Sequence, residues 1–255
     1  MRSRLGGWVA AAALLLGACG TDGGSDATRA ADAEPADRLR TDLVSVRDTL
    51  PPAPPAAGAL TVVLAHPAGA GDPGLDAAAA ALAQRPDIAV RIAVPAGTGD
   101  ATMSGFPVAA TGATAADAVA AAIDQAAGEV DLVVVGVTDG HGIGATSVEA
   151  TAAARLDVPA LVVGAEHADP PDHAAATMQL LEVLDLELAT LLADPGVHRL
   201  AVPSCEHGIL RGRHAARAGT PPGTDVRADC RSTEPPGRTE AEAFAVGYAT
   251  LTPLP

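Results

Sequence analysis

The segment Asp131–Gly164, DLVVVGVTDGHGIGATSVEATAAARLDVPALVVG, constrains the fold more than any other part of the chain. Asp131–Val137 is an almost continuous apolar run of strand length. A glycine-rich stretch follows, Thr146-x-x-Glu149 has the pattern of a helix capping box, and Ala160–Val163 is a second apolar run. Strands that are apolar on both faces belong to parallel sheets covered by helices on both sides. A β–loop–α–β unit of this kind places ligands at the carboxyl ends of its strands, where the helix N-terminus faces the loop. Asp139 and His141 lie in that loop and are candidate catalytic groups, and Asp139 is also a candidate metal ligand. Thr138, Gly140, Gly142 and Gly144 are candidates for a ligand or phosphate loop. The G-x-G-x-G spacing is not the G-x-G-x-x-G dinucleotide fingerprint, so the loop either cradles an anion with backbone N–H groups or makes a turn that packing requires.

The same alternation extends over the rest of the chain. Ala59–Ala65 and Asp87–Val94 read as strands. Asp72-Pro73 opens a helix to about Gln84, with Asp as N-cap and Pro at the first helical position. Thr114-x-x-Asp117 caps an Ala-rich helix to about Ala127, and Asp172–Leu192 reads as one long helix with Leu180, Leu181, Leu184 and Leu188 on a stripe. After Pro195 the pattern changes to short strands near His198–Val202 and Phe244–Thr252 around a Pro-, Gly- and Arg-rich segment. The expected fold class is α/β: a Rossmann-like three-layer sandwich with a mostly parallel sheet, plus a C-terminal β-hairpin extension over residues 198–255.

Residues 1–18 read as a lipoprotein signal peptide. Arg2 and Arg4 precede the apolar run Trp8–Leu16, and Leu16-Gly17-Ala18-Cys19 fits a site at which Cys19 is acylated and becomes the mature N-terminus. The run is too short to span a bilayer. Residues 19–57, rich in Ala, Gly, Asp and Pro and ending in Pro51-Pro52-Ala53-Pro54-Pro55, read as a disordered tether, leaving 58–255 as one domain. The expected location is the extracytoplasmic face of a membrane, with the lipid anchor as the membrane contact. In that oxidising compartment Cys205 and Cys230 are expected to pair, closing a loop of about 25 residues for about 3 kcal/mol.

Charge narrows the partners. The chain has no Lys, and removing Arg2 and Arg4 leaves 14 Arg against 31 Asp and Glu, a net −17. Such a surface argues against nucleic acid as a partner.

Three segments, in order, resemble the SurE family of metal-dependent nucleotidases. Leu64–Leu75, LAHPAGAGDPGL, is similar to its first strand, loop and helix start. Val133–Gly144, VVVGVTDGHGIG, is similar to its V-V-S-G-I-N-x-G-x-N-L-G loop, and Leu156–Val163 to its L-G-V-P-A-I-A-V. Thr239–Leu254, TEAEAFAVGYATLTPL, is similar to the motif that closes the family's domain. The resemblance covers about residues 59–255. It implies hydrolysis of phosphomonoesters, chiefly nucleoside monophosphates, by water activated on a divalent metal (Mg, Mn or Zn), and a homodimer through the C-terminal hairpin.

The functional positions depart from the family pattern. Where the family has N-D-D-G, with both Asp on the metal, this chain has His66-Pro67-Ala68-Gly69. The metal-binding Asn of G-I-N falls on Thr138, and a family Ser falls on Asp100. The candidate metal ligands are therefore His66, Asp100 and Asp139. The strand-end loops 65–75, 95–110, 136–147 and 164–175 carry Glu166, His167 and Asp169 but no Arg. Arg211, Arg213 and Arg217 are either phosphate contacts or an inter-subunit salt-bridge face. Two functions follow: a SurE-like metal-dependent phosphomonoesterase, weak or altered because the Asp-Asp pair is missing, or a non-catalytic ligand- or partner-binding lipoprotein.

Overall fold

The computed structural model describes residues 55–69, 71–97, 102–103, 106–126, 129–139, 148–219 and 226–255. The expected signal peptide, Cys19 and nearly all of the tether lie outside these residues. Nine strands form one sheet: β1 (Leu60–Ala65), β2 (Ile88–Pro95), β3 (Thr102–Met103), β4 (Phe106–Gly112), β5 (Leu132–Asp139), β6 (Ala160–Ala165), β7 (Val197–Val202), β8 (Arg213–Ala215) and β9 (Ala249–Pro253), in the order β3-β4-β2-β1-β5-β6-β7-β9-β8. The run from β4 to β7 is parallel. The described helices are α1 (Pro73–Leu82), α2 (Ala115–Gln125), α3 (Val148–Ala154), α4 (His173–Leu186), α5 (Leu188–Ala193) and α6 (Glu240–Ala245).

Alternate residues of the central strands face two separate cores. Val62 and Leu64 of β1 pack with Leu75 and Leu82 of α1 and with Leu180 and Val183 of α4. Val63 and Ala65 pack with Val119 and Ile123 of α2 and with Ala150 and Ala153 of α3. The three-layer, mostly parallel sandwich follows directly, because each face of the sheet needs its own cover.

The local signals hold at the helix starts. Asp72 caps α1 by accepting from the N–H groups of Gly74 and Leu75, and Thr114 and Asp117 complete a capping box on α2. Two segments differ from expectation. The long helix breaks at Glu187, which leaves helical geometry (φ −116°, ψ 0°), and Leu191 of the second piece is buried in the core. Phe244, expected at the start of a strand, lies in α6, because Thr239 and Glu242 form a capping box and Gly247 (φ 85°) ends the turn before β9. The C-terminal extension is the edge of the main sheet. β9 pairs antiparallel with β7 as the two-strand expectation required, while β8 and α6 lie between them in sequence and β8 joins β9 in parallel.

Candidate functional site

His66 directly follows β1, Asp139 ends β5, Glu166 and His167 follow β6, and Ser204 lies just beyond β7, so all stand on the carboxyl edge of the parallel sheet. They do not stand at one height. Ala65 is level with Val135, whereas Asp139 is level with Ala165. Counted on β6, past the register shift in β5 between Val135 and Thr138, Asp139 stands two residues beyond the level of His66, an offset on the order of 7 Å at strand rise.

His66 is committed inside the fold. It is 2% exposed, its Nδ1 accepts the Ala68 N–H at 3.1 Å, and its Nε2 lies 3.3 Å from Oδ1 of Asp72. Because Nδ1 accepts, the ring proton of the neutral form sits on Nε2, facing a carboxylate oxygen that also caps α1. To ligate a metal, the ring would have to give up one of these two contacts. Thr138 is likewise buried, and its hydroxyl donates to the Val163 carbonyl at 3.3 Å, tying β5 to β6.

Asp139 is open instead. Its Oδ1 lies 3.3 Å from Nδ1 of His167, and the side chains are 42% and 74% exposed. Glu166, next to His167, is taken up by the backbone: Oε2 accepts from Ser204 N–H at 3.0 Å and Oε1 from Ala228 N–H at 2.9 Å. The candidate residues Asp100, Gly140, His141, Gly142 and Gly144 lie outside the described residues.

Two glycines shape the edge. Gly136 has φ 126°, and a Cβ there would stand 2.2 Å from the Val163 carbonyl oxygen. A Cβ on Gly74 would stand 2.0 Å from the Val137 carbonyl oxygen. The first turn of α1 and the end of β5 thus meet backbone to backbone, a distance that admits no side chain.

The C-terminal arginines are used within the chain. Arg213 Nη1 lies 3.5 Å from Glu182 and Nη2 3.6 Å from Glu187, at the junction of α4 and α5. Arg211 stacks over the Tyr248 ring at 4.7 Å and donates to the carbonyl of Glu234. Arg217 contributes backbone pairing with Thr239 and keeps an exposed side chain.

The fold has a solved counterpart. The SurE protein from Aquifex aeolicus superposes with a TM-score of 0.59 at 18% identity, over 76% of this chain and 92% of that one. The domain has a SurE-like fold. No family model and no curated protein sequence matches the chain. The SurE-like domain has the sheet and its carboxyl edge, but the donors among the described residues do not by themselves fit a divalent metal. Mg²⁺ and Mn²⁺ require several oxygen ligands converging at about 2.0–2.2 Å, and at the described edge Asp139 is met by an imidazole, His167. Among the described residues, no group of three or more His, Cys, Asp and Glu side chains is arranged to hold an ion.

Some structural residues gave no sequence warning. Arg199 and Glu240, 2% and 0% exposed at the side chain, form a buried bidentate pair, with Nε donating to Oε1 at 2.6 Å and Nη2 to Oε2. The role of Glu166 was equally hidden. Thr239-x-x-Glu242, by contrast, is a legible capping box that identifies α6 from sequence alone. Its reciprocal bonds act on titration too: the N–H and hydroxyl of Thr239 hold the Glu242 carboxyl below the usual carboxylate range, with a further contribution from the Arg238 N–H.

Proposed function

We propose that this chain is a SurE-fold binding protein that has given up metal-dependent phosphomonoesterase chemistry and takes a small ligand at the carboxyl edge of β5 and β6, around Asp139 and His167. The observation that carries this reading is His66. It opens the segment His66-Pro67-Ala68-Gly69, in which Pro67 and Ala68 stand where the resembling family places its metal-binding carboxylates, and both of its ring nitrogens face partners within the β1–α1 turn. A site in which Pro67 and Ala68 replace the carboxylate pair has lost the charge that gathers a divalent metal and orients phosphate oxygens. The signal pattern ending at Cys19 supports a lipid anchor on the outer face of a membrane. Association of two copies through the C-terminal strands belongs to the same reading and rests on the resemblance alone.

A second reading is supported by the Asp139–His167 pair, because a carboxylate beside an imidazole suits Zn²⁺ or another transition metal. That reading is a residual nucleoside monophosphate hydrolase with a rebuilt centre. Hydrolysis of nucleoside monophosphates by the full chain in detergent separates the two. The assay runs in chelator and then in Mg²⁺, Mn²⁺, Co²⁺ and Zn²⁺, beside an Asp100→Ala/Asp139→Ala variant. The binding reading expects no metal-dependent turnover. Turnover that appears with one metal and vanishes in the double variant sinks it and establishes the rebuilt enzyme.

A further inference from the structure

One carboxylate and one covalent bond tie the same two segments together. Glu166 accepts from the N–H groups of Ser204 and Ala228, at 3.0 and 2.9 Å. Cys205 follows Ser204, Cys230 lies two residues beyond Ala228, and the two cysteines are joined by a disulfide with Cα atoms 5.7 Å apart. Ser204 adds a third strand to the knot, since its hydroxyl donates to the Glu166 carbonyl at 3.0 Å and accepts the Asp172 N–H at 3.1 Å. The next residue after Glu166 is His167, whose ring meets Asp139.

We propose that Glu166 and the Cys205–Cys230 disulfide form a single redox-sensitive clasp that positions His167 against Asp139 on the carboxyl edge. The clasp stands on its own geometry; its role as a regulator of ligand binding rests on the binding reading above. Opening needs a dithiol reductant. Its thiolate attacks one sulfur, the S–S bond breaks, and a mixed disulfide forms. The second thiol of the reductant then closes its own disulfide, so that two electrons and two protons end on Cys205 and Cys230 as thiols. Apart from Glu166, the segment that Cys230 anchors is held by a few hydrogen bonds, from Asp229 N–H to the Ala245 carbonyl, from Ile209 N–H to the Cys230 carbonyl and from Arg211 to the Glu234 carbonyl, and by a small cluster in which Val226 and Ala228 pack with Ala201, Ala241 and Phe244. That cluster is far smaller than the two cores beneath the sheet, so local opening is favoured over global unfolding once the loop closure is released.

Residue-resolved amide exchange on the full chain tests this, oxidised and with a dithiol, for the unaltered chain and for Glu166→Gln. On reduction, the Ser204 and Ala228 amides are expected to lose at least about tenfold more protection than the amides of β1 and β5, and the His167 ring resonances to move. In oxidised Glu166→Gln, the same two amides are expected to lose protection, and the same dithiol is expected to reduce the disulfide faster, because the two ties are coupled. Unchanged protection of the two amides on reduction, or an unmoved His167 ring, overturns the proposal. So does an unchanged reduction rate in Glu166→Gln. A loss of protection throughout β1 and β5 as large as that at Ser204 and Ala228 also overturns it, since the disulfide would then act only as a staple for the whole fold. None of these readouts depends on a ligand, so they succeed or fail separately from the binding reading.

Discussion

The two sides of the sheet are held by different chemistry. Every residue of β6 is buried and all of β5 up to Thr138, and these strands meet their helices through Val, Leu and Ala. On the side of β7 and β9, the buried residues include His198, Arg199, Glu240, Thr250 and Thr252, and the segment beyond β7 is closed by a disulfide. Apolar burial is roughly proportional to area and tolerates exchange among side chains of similar size. A buried ion pair or a disulfide fails when one member is removed. The parallel side is therefore expected to degrade gradually under substitution, and the C-terminal side in discrete steps.

The largest step is expected at the buried ion pair. Glu240→Ala leaves Arg199 charged and dry, at a cost of about 3–5 kcal/mol in urea unfolding. The Arg199→Met/Glu240→Leu double variant is expected to recover most of that stability, because removing both charges removes the desolvation cost as well. A double variant no better than Glu240→Ala would break the contrast between the two sides.

Leu64→Ala, on a side chain with no exposed surface, is expected to cost about 2–5 kcal/mol by cavity formation, equally with and without a thiol reductant. A redox-dependent cost would show that the two sides are not independent. Cys205→Ser/Cys230→Ser is expected to cost about 3 kcal/mol through loop closure. If its unfolding midpoint matches that of the oxidised parent, the disulfide does not stabilise this side.

Thr239→Ala removes the α6 cap and is expected to cost about 1 kcal/mol, with a similar loss for Thr114→Ala on the parallel side. A much larger loss at Thr239 would show that the cap also supports the Arg199–Glu240 pair. The smallest effect is in pH. Burial pushes the His198 imidazole below its ordinary range, against a weaker opposing pull from Asp194. With the folded value below the unfolded one near 6.5, this contribution to stability is fully present above pH 6.5 and is lost as pH falls through the folded value. His198→Gln should flatten the stability curve between pH 7 and 5, and an unchanged slope would remove His198 as its cause.

Legibility of the sequence followed the range of the interaction. The apolar runs at β1, β2, β5 and β6, the caps at Asp72 and Thr114, and the cysteine pair were all readable. The edge strands β3 and β4 were not, because Thr102–Gly112 mixes Gly, Pro and Ala without a strand period. At the site, the departure from the family's carboxylate pair was plain in Pro67-Ala68, but the role of the neighbouring His66 was not. Whether His66 would face an ion or an N-cap depended on where the Asp72 carboxylate settled.

By itself, the sequence determined the α/β alternation, the helix starts and the strand edge at which candidate residues collect. These follow from periodicity and from side chains acting on their own backbone within a few residues. Only the tertiary structure decided that His66 closes inward while Asp139 meets His167. It alone assigned Glu166 to Ser204 and Ala228, 38 and 62 residues away, and joined Arg199 to Glu240 across 41. A buried polar group takes whichever partner the packed fold brings within hydrogen-bond reach, and that choice leaves no local trace in the chain.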